Sequence, residues 1–220
     1  MSLYNVRHMD CRRALILQNT RLQRPPSVPE LQLYLAHEIE PIWRVTESEQ
    51  GGAPPYWAFA WAGGQALARY VLDHPEVVAG KRVVDFATGS GVCALAAMKA
   101  GAAHALATDI DGLSGEAVAL NARANRLSVT FSNRDLTDVY QLEADVILAG
   151  DVCYEQPLAN RALAWLRAAH ARGTRVLVGD PGRPYSPPEG LIRLAVYEIR
   201  TTREIEDTDV KRVGVFTPVG

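Results

Sequence analysis

Asp85, Gly89, Gly91 and Asp109 are spaced as a nucleotide-binding group would be. The run Val83-Val84-Asp85-Phe86-Ala87-Thr88-Gly89-Ser90-Gly91 joins strand-forming residues to an Ala-rich segment. Glycine lets the backbone approach a ligand closely, and the first turn of the following helix offers unpaired N–H groups. Asp109 lies twenty positions after Gly89, a spacing that suits a carboxylate gripping the ribose hydroxyls of an adenosine-containing cofactor. Asp111 competes for that role, but Asp111-Gly112 reads as a turn or helix cap. Asp109 is therefore the expected ribose ligand. Asp135, in Asn133-Arg134-Asp135, could sit beside an exocyclic adenine amine or belong to an ordinary polar loop.

Gly89-x-Gly91-x-x-Ala94 also satisfies the dinucleotide pattern G-x-G-x-x-A, which makes NAD the competing cofactor. By itself the pattern is also compatible with a tight turn that binds nothing. Asp85 separates the two cofactors. An acid at the C-terminal end of a parallel strand lies at the rim where open α/β sheets bind ligands, and there it could meet a cationic amine. S-adenosylmethionine carries such an amine and a positive sulfonium, whereas NAD offers no ammonium at that point. The residues favour S-adenosylmethionine.

A second group is Gly150-Asp151-Val152-Cys153-Tyr154. An Asp at a strand end, three residues before an aromatic, suits the holding of an amine. The carboxylate would orient it and the ring would offer a cation-binding face. A helix-capping Asp with a packing Tyr is the plainer reading. Cys153 has no nearby His to activate it and reads as a small buried residue. A third group is Tyr56-Trp57-Ala58-Phe59-Ala60-Trp61-Ala62-Gly63-Gly64. Here Trp61 and a Gly63-Gly64 turn are expected at the cofactor, with Phe59 in the core.

The elements that must position these residues alternate. Strand-like runs lie at 82–87, 104–109, 127–131, 144–150 and 174–179, with helical patterns at 91–100, 112–125 and 156–172. Such alternation predicts an α/β fold with a mostly parallel sheet and helices on both faces. Segments near 193–204 and 210–217, separated by Glu206-Asp207-Thr208-Asp209, read as a C-terminal antiparallel hairpin, which brings the strand count to seven. Pro-rich and Gly-rich breaks at 25–29 and 50–55 set off an N-terminal extension, residues 1–54, of a basic helix and a short α/β segment packed on the core. Residues 55–220 form the catalytic domain. Arg7, Arg12, Arg13, Arg21 and Arg24 stand against Asp10 alone in the first 24 residues, a composition that fits a transit peptide or a packed basic helix. The helix is favoured, because Ala14-Leu15-Ile16-Leu17 runs on without a cleavage-like stretch.

The 220 residues are 48% hydrophobic and 22% charged, with a net charge of -2. That balance disfavours a protein that coats nucleic acid. Three cysteines without C-x-x-C spacing and five scattered histidines argue against a disulfide framework or a metal site. A reducing cytoplasm is the expected setting. No apolar run approaches the roughly 20 residues of a membrane span.

With these residues in place, the chain resembles the seven-strand, class I S-adenosylmethionine-dependent methyltransferases. More narrowly, it resembles the lysine methyltransferases that act on the electron-transfer flavoprotein beta subunit. The likeness rests on Pro55-Tyr56-Trp57-Ala58-Phe59, Trp61-x-Gly63-Gly64-Gln65-Ala66-Leu67, Asp109-Ile110-Asp111, Gly150-Asp151-x-x-Tyr154 and Gly179-Asp180-Pro181-Gly182-Arg183-Pro184. It covers about residues 19–216.

The resemblance implies a Rossmann-like sheet and an S-adenosylmethionine cofactor. Asp85, Gly89 and Gly91 would hold the donor's methionine end and sugar, Asp109 the ribose, and Trp61 with Gly63 would close over it. Asp151 and Tyr154 would place the substrate amine, in the manner of the D-x-x-Y/F signature of this group. One departure is Ala87, where the family commonly has Gly; its methyl group would crowd the donor or demand a restricted backbone angle. The expected reaction is in-line methyl transfer to a neutral lysine amine, with Asp151 positioning it. A small amine or a ribosomal protein as acceptor, an NAD-dependent oxidoreductase, and a non-catalytic cofactor-binding protein are the alternatives.

Overall fold

The computed structural model describes residues 3–50, 54–187 and 189–219. Its elements in chain order are α1 (Leu3–Asn19), β1 (Arg21–Gln23), β2 (Leu33–Leu35), α2 (Ile39–Gln50), α3 (Ala62–Asp73), β3 (Arg82–Phe86), α4 (Val92–Lys99), β4 (His104–Thr108), α5 (Gly112–Asn125), β5 (Thr130–Ser132), β6 (Val146–Gly150), α6 (Gln156–Ala171), β7 (Arg175–Asp180), β8 (Leu191–Arg200), α7 (Arg203–Glu206) and β9 (Val210–Pro218). Short 3₁₀ turns occupy Tyr56–Ala58 and Pro75–Val77.

Seven strands form one sheet in the order β5-β4-β3-β6-β7-β9-β8. The first five are mutually parallel, and β9 runs antiparallel between β7 and β8. From β3 the chain first builds outward through β4 and β5, then crosses back to lay β6 on the other side of β3. Crevices of open α/β sheets form at such a switch, beyond the carboxyl ends of the strands. Phe86 lies opposite Ala149 in the β3–β6 register, which brings the Asp85–Gly91 turn and the Gly150–Tyr154 segment to the same rim.

The alternation along the central strands decides which helix covers which face. Val83, Leu148 and Leu177 pack with Leu67, Val71 and Leu95 of α3 and α4. Val84, Ile147, Val176 and Val178 pack with Leu163, Trp165 and Leu166 of α6. Most of these side chains are almost fully buried, with Leu163 and Trp165 the most exposed at 6%. Truncating a buried Leu of this kind typically costs about 2–5 kcal/mol. Leu15 and Ile16 of α1 join Leu113, Ala117 and Leu120 of α5 in a separate cluster with Trp57 and Phe59. Residues 21–35 form a two-stranded antiparallel ribbon.

Three details differ from the sequence expectation. The third parallel strand is Thr130–Ser132, later and shorter than 127–131. Leu127 is taken up by the end of α5, where Arg126 is left-handed and the Leu127 amide donates to the Ala122 carbonyl. That is a Schellman-type closure. Gly63 and Gly64 form no turn: both lie in the first turn of α3. Glu206, expected in an exposed hairpin turn, ends the short helix α7 and is 2% exposed.

Candidate functional site

A cavity of about 630 Å³ opens beside the C-terminal ends of β3, β4 and β6, within the ordinary size range of small-molecule sites. Asp85, Ala87, Gly89 and Asp109 line one part of it, and Trp61, Gly64, Asp151 and Tyr154 another. Asp135 also reaches its wall, whereas Gly63 and Gly91 do not.

Asp85 is 2% exposed. Its Oδ2 accepts the Thr88 hydroxyl at 2.5 Å and the Ala94 amide at 2.9 Å, so it satisfies an otherwise orphan donor at the start of α4. Oδ1 has no protein partner among the described residues. Burial pushes this carboxyl up to about 7, against the pull of those two hydrogen bonds. Asp109 lies just beyond β4. It accepts the Gly89 amide on Oδ2 at 2.9 Å and the Asp111 amide on Oδ1 at 3.0 Å, tying the strand end to the glycine turn. Burial raises its carboxyl as well, while the backbone donors of Asp111 and Gly89 oppose that. Asp111 caps α5 by accepting from the Leu113 amide, as its Asp-Gly context implies.

Gly89 and Gly91 have φ of 51° and 83°, the left-handed region that favours glycine. At Gly91 a Cβ would come within 2.9 Å of Val118 Cγ2, so this residue serves helix packing behind the site. Ala87 has φ of 53°. The restricted backbone angle anticipated at this position is present, at a typical cost of roughly 1–2 kcal/mol.

Asp151 is also left-handed, at φ of 57°, and it caps no helix of its own: α6 starts after Glu155. Oδ2 instead accepts the Gly64 amide at 3.0 Å, and Oδ1 accepts Arg183 Nε at 2.8 Å and Nη2 at 2.5 Å. Burial lifts the Asp151 carboxyl to about 6; Arg183 pulls it down and Glu206 pushes it up. The close fit of α3 depends on glycine. A Cβ at Gly63 would lie 2.4 Å from the Gly179 carbonyl and 2.5 Å from Asp151 Oδ2. Gly63 thus positions Asp151 and does not itself border the cavity.

Aromatic rings gather at the Tyr154 end. Tyr56 lies 5.0 Å from Tyr154 and 5.8 Å from Trp61, centroid to centroid, and Phe59 lies 5.7 Å from Trp61. Trp61 Nε1 donates to the Tyr56 carbonyl. Phe59 is buried, as expected of a core residue, yet it also touches the cavity. Burial raises the Tyr154 phenol. Cys153 packs beside Asp180, and its thiol is pushed up to about 12 by burial first and by Asp180 second. That is a poor thiolate. Asp135 is occupied: Thr137 and Arg161 bind its two oxygens.

Together these residues fit a ligand with a cationic amine and vicinal hydroxyls. A carboxylate oxygen without a protein partner at Asp85, an acid at the strand end beyond β4 and an apolar, aromatic far wall are the features such a ligand needs. Among the described residues, no group of three or more His, Cys, Asp or Glu side chains is arranged to hold a metal.

Comparison with known proteins identifies the family. The ribosomal protein L11 methyltransferase (PrmA) family profile matches residues 65–153. The electron transfer flavoprotein beta subunit lysine methyltransferase of Xenopus laevis is 37% identical over 203 residues, spanning 90% of this chain and 82% of that protein. Its counterpart in Rattus norvegicus is 39% identical, over 85% and 76% respectively. This chain belongs to the electron transfer flavoprotein beta subunit lysine methyltransferase family. Membership makes it an S-adenosylmethionine-dependent protein-lysine methyltransferase. For the fold, magnesium protoporphyrin IX methyltransferase from Synechocystis PCC 6803 superposes with a TM-score of 0.54 at 17% identity, covering 84% of this chain and 99% of that one.

For a methyltransferase of this family the sequence left two residues without a role. Arg183 appeared only inside the Gly-Asp-Pro-Gly-Arg run, and Glu206 only as a turn acid. Each meets Asp151 or its partner from a distant part of the chain, and no local spacing signals that.

Proposed function

We propose that the cavity takes S-adenosylmethionine at the Asp85–Asp109 side and a lysine of the electron transfer flavoprotein beta subunit at the Tyr154 side. The carrying observation is that Asp85, Gly89 and Asp109 line the same cavity as Asp151 and Tyr154. Asp85 receives the donor's amine through Oδ1, Asp109 its ribose, and Ala87, Gly89 and Gly64 border it. Trp61 packs along the same wall. The bound donor supplies a methyl group on a positive sulfonium.

The chain's own residues prepare the acceptor. A lysine amine near its ordinary value of about 10.4 is mostly protonated at neutral pH, so the site must favour its neutral form. Rings at Tyr56, Trp61 and Tyr154 exclude water and disfavour charge. A bare Asp151 would do the opposite. Paired with Arg183, it orients the amine while its charge is compensated. The proton leaves to water before transfer, and alignment supplies most of the acceleration.

The relatives' names support the protein partner, and a net charge of -2 supports a protein over a phosphate backbone as acceptor. Three free cysteines support a reducing, cytoplasmic setting. The test is incubation of purified electron transfer flavoprotein with enzyme and isotope-labelled donor, read by mass spectrometry. Label on a lysine of the beta subunit supports the reading; a beta subunit left unlabelled, while the same enzyme labels other proteins of a cell extract, overturns the choice of partner.

A further inference from the structure

Arg183 is held between two buried carboxylates. Its guanidinium donates through Nε and Nη2 to Asp151 Oδ1, and through Nη1 and Nη2 to Glu206 at 2.9 and 2.7 Å. Its side chain is 16% exposed, against 9% for Asp151 and 1% for Glu206. Both carboxylates are anchored in turn to the start of α3: Glu206 accepts the Ala62 amide at 3.2 Å and Asp151 the Gly64 amide. The loop carrying Arg183 is organised by buried Asp180, whose Oδ1 accepts the Gly182 and Arg183 amides and the Ser186 hydroxyl. Lys211 Nζ lies 3.9 Å from Glu206 Oε2, which also accepts from Arg183 Nη1.

A buried ion pair by itself says little about function. Two further facts separate this one from a structural rivet. Arg183 lines the cavity together with Asp151, and its guanidinium lies over the Trp61 ring at 5.7 Å. The cation therefore stands at the end of the cavity where the amine is to react.

Resting on the reading of the site given above, we propose that Arg183 is a positioning residue that sets the protonation of the incoming lysine. Clamped between Glu206 and Asp151, it holds the Asp151 carboxylate in one orientation and compensates its charge. An amine arriving beside Tyr154 then meets an ion pair in place of a bare anion and loses its proton more readily. A nearby cation disfavours an ammonium and a nearby unpaired anion favours it. The guanidinium and Glu206 thus act with opposite sign. Removing Arg183 leaves excess negative charge at the amine; removing the charge of Glu206 leaves excess positive charge.

The experiment is the pH–rate profile of methyl transfer to the electron transfer flavoprotein at saturating donor, for wild type, Arg183→Gln, Arg183→Lys and Glu206→Gln. Calorimetric titration with S-adenosylhomocysteine accompanies each variant. Arg183→Gln is expected to move the rising limb up by about one pH unit, so that the rate at neutral pH falls about tenfold and largely recovers near pH 9. Glu206→Gln is expected to move the limb down. Arg183→Lys keeps the charge without the fork, so its limb stays near wild type while the plateau drops. Product affinity is expected to remain within about threefold throughout, since none of these changes alters Asp85 or Asp109, the carboxylates proposed to hold the donor. Rate losses in Arg183→Gln that are uniform with pH, or limb shifts of the same sign for Arg183→Gln and Glu206→Gln, overturn the proposal. If Arg183→Gln does not fold, the Lys and Glu206 variants decide it alone. A wild-type protein that binds no S-adenosylhomocysteine overturns the site reading itself, and this proposal with it.

Discussion

The Gly64 amide donates to Asp151 Oδ2 at 3.0 Å, so the carboxylate proposed to orient the substrate amine is also the cap of α3. Trp61, the residue preceding that helix, supplies no side-chain cap. The helix start is instead held by acids from the ends of β6 and α7, where the positive end of the helix dipole favours them. The Gly150–Tyr154 segment and the start of α3 beside Trp61 are therefore tied together.

Gly63→Ala tests this coupling. The new methyl group meets the Gly179 carbonyl at 2.4 Å and Asp151 at 2.5 Å, and neither is the far end of a flexible side chain. α3 must withdraw. The expected outcome is a loss of about 1–3 kcal/mol in stability and a fall in methyl transfer larger than the loss of folded protein explains. Thermal melting and a transfer assay on the folded fraction measure both. Melting and rates equal to wild type would remove the close approach from the account of the site.

Ala87 is the second case. Its φ of 53° is costly for a residue with a Cβ. Ala87→Gly removes that strain but adds freedom to the unfolded chain, worth about 0.4–1 kcal/mol. The two partly offset, so stability rises by no more than about 1.6 kcal/mol. Ala87→Val places a β-branched residue in the same conformation and is expected to destabilise. Chemical denaturation of the pair reports the difference. A Val variant as stable as the Gly variant contradicts the left-handed assignment.

Asp109→Ala and Asp111→Ala separate the two acids that compete on spacing alone. Asp109 carries the Gly89 amide and lines the cavity, while Asp111 caps α5. Asp109→Ala is expected to weaken S-adenosylhomocysteine binding about tenfold or more by calorimetry, equivalent to about 1.4 kcal/mol. Asp111→Ala is expected to show mainly a stability loss of about 0.5–2 kcal/mol. The reverse pattern reassigns the ribose role.

Those two acids illustrate what could be read before any coordinates. The apolar runs at 82–87, 144–150 and 174–179 announce buried parallel strands, because strands covered on both faces lack the polar alternation of a surface strand. Asp111-Gly112 announces a cap by local chemistry. Gly63-Gly64 misleads: two adjacent glycines usually signal a turn, whereas here they let a helix lie against Gly150 and Gly179. The Asp151–Arg183–Glu206 cluster was out of reach for a different reason. Its members are 32 and 23 residues apart, and only the antiparallel return of β9 brings Glu206 under the loop after β7. Leu127 reads as strand because an apolar residue satisfies either a strand or a Schellman contact.

Asp85 carries the pH prediction. Its carboxyl stands at about 7 in the folded protein against an ordinary 3.8, chiefly through burial. Between those values the folded state binds more protons than the unfolded one. Stability therefore falls as pH rises through this window, with a limiting slope of about 1.4 kcal/mol per pH unit from this one group. Ligand binding runs the other way. A cationic amine needs Asp85 ionised, so S-adenosylhomocysteine binding tightens as pH rises from about 6 to about 8 and releases a proton near neutrality. Calorimetry in buffers of different ionisation enthalpy counts that proton. In Asp85→Asn both the release and the pH dependence are expected to vanish, with weaker affinity throughout. Proton release that persists undiminished in the Asn variant assigns it to another group and removes the amine from Asp85.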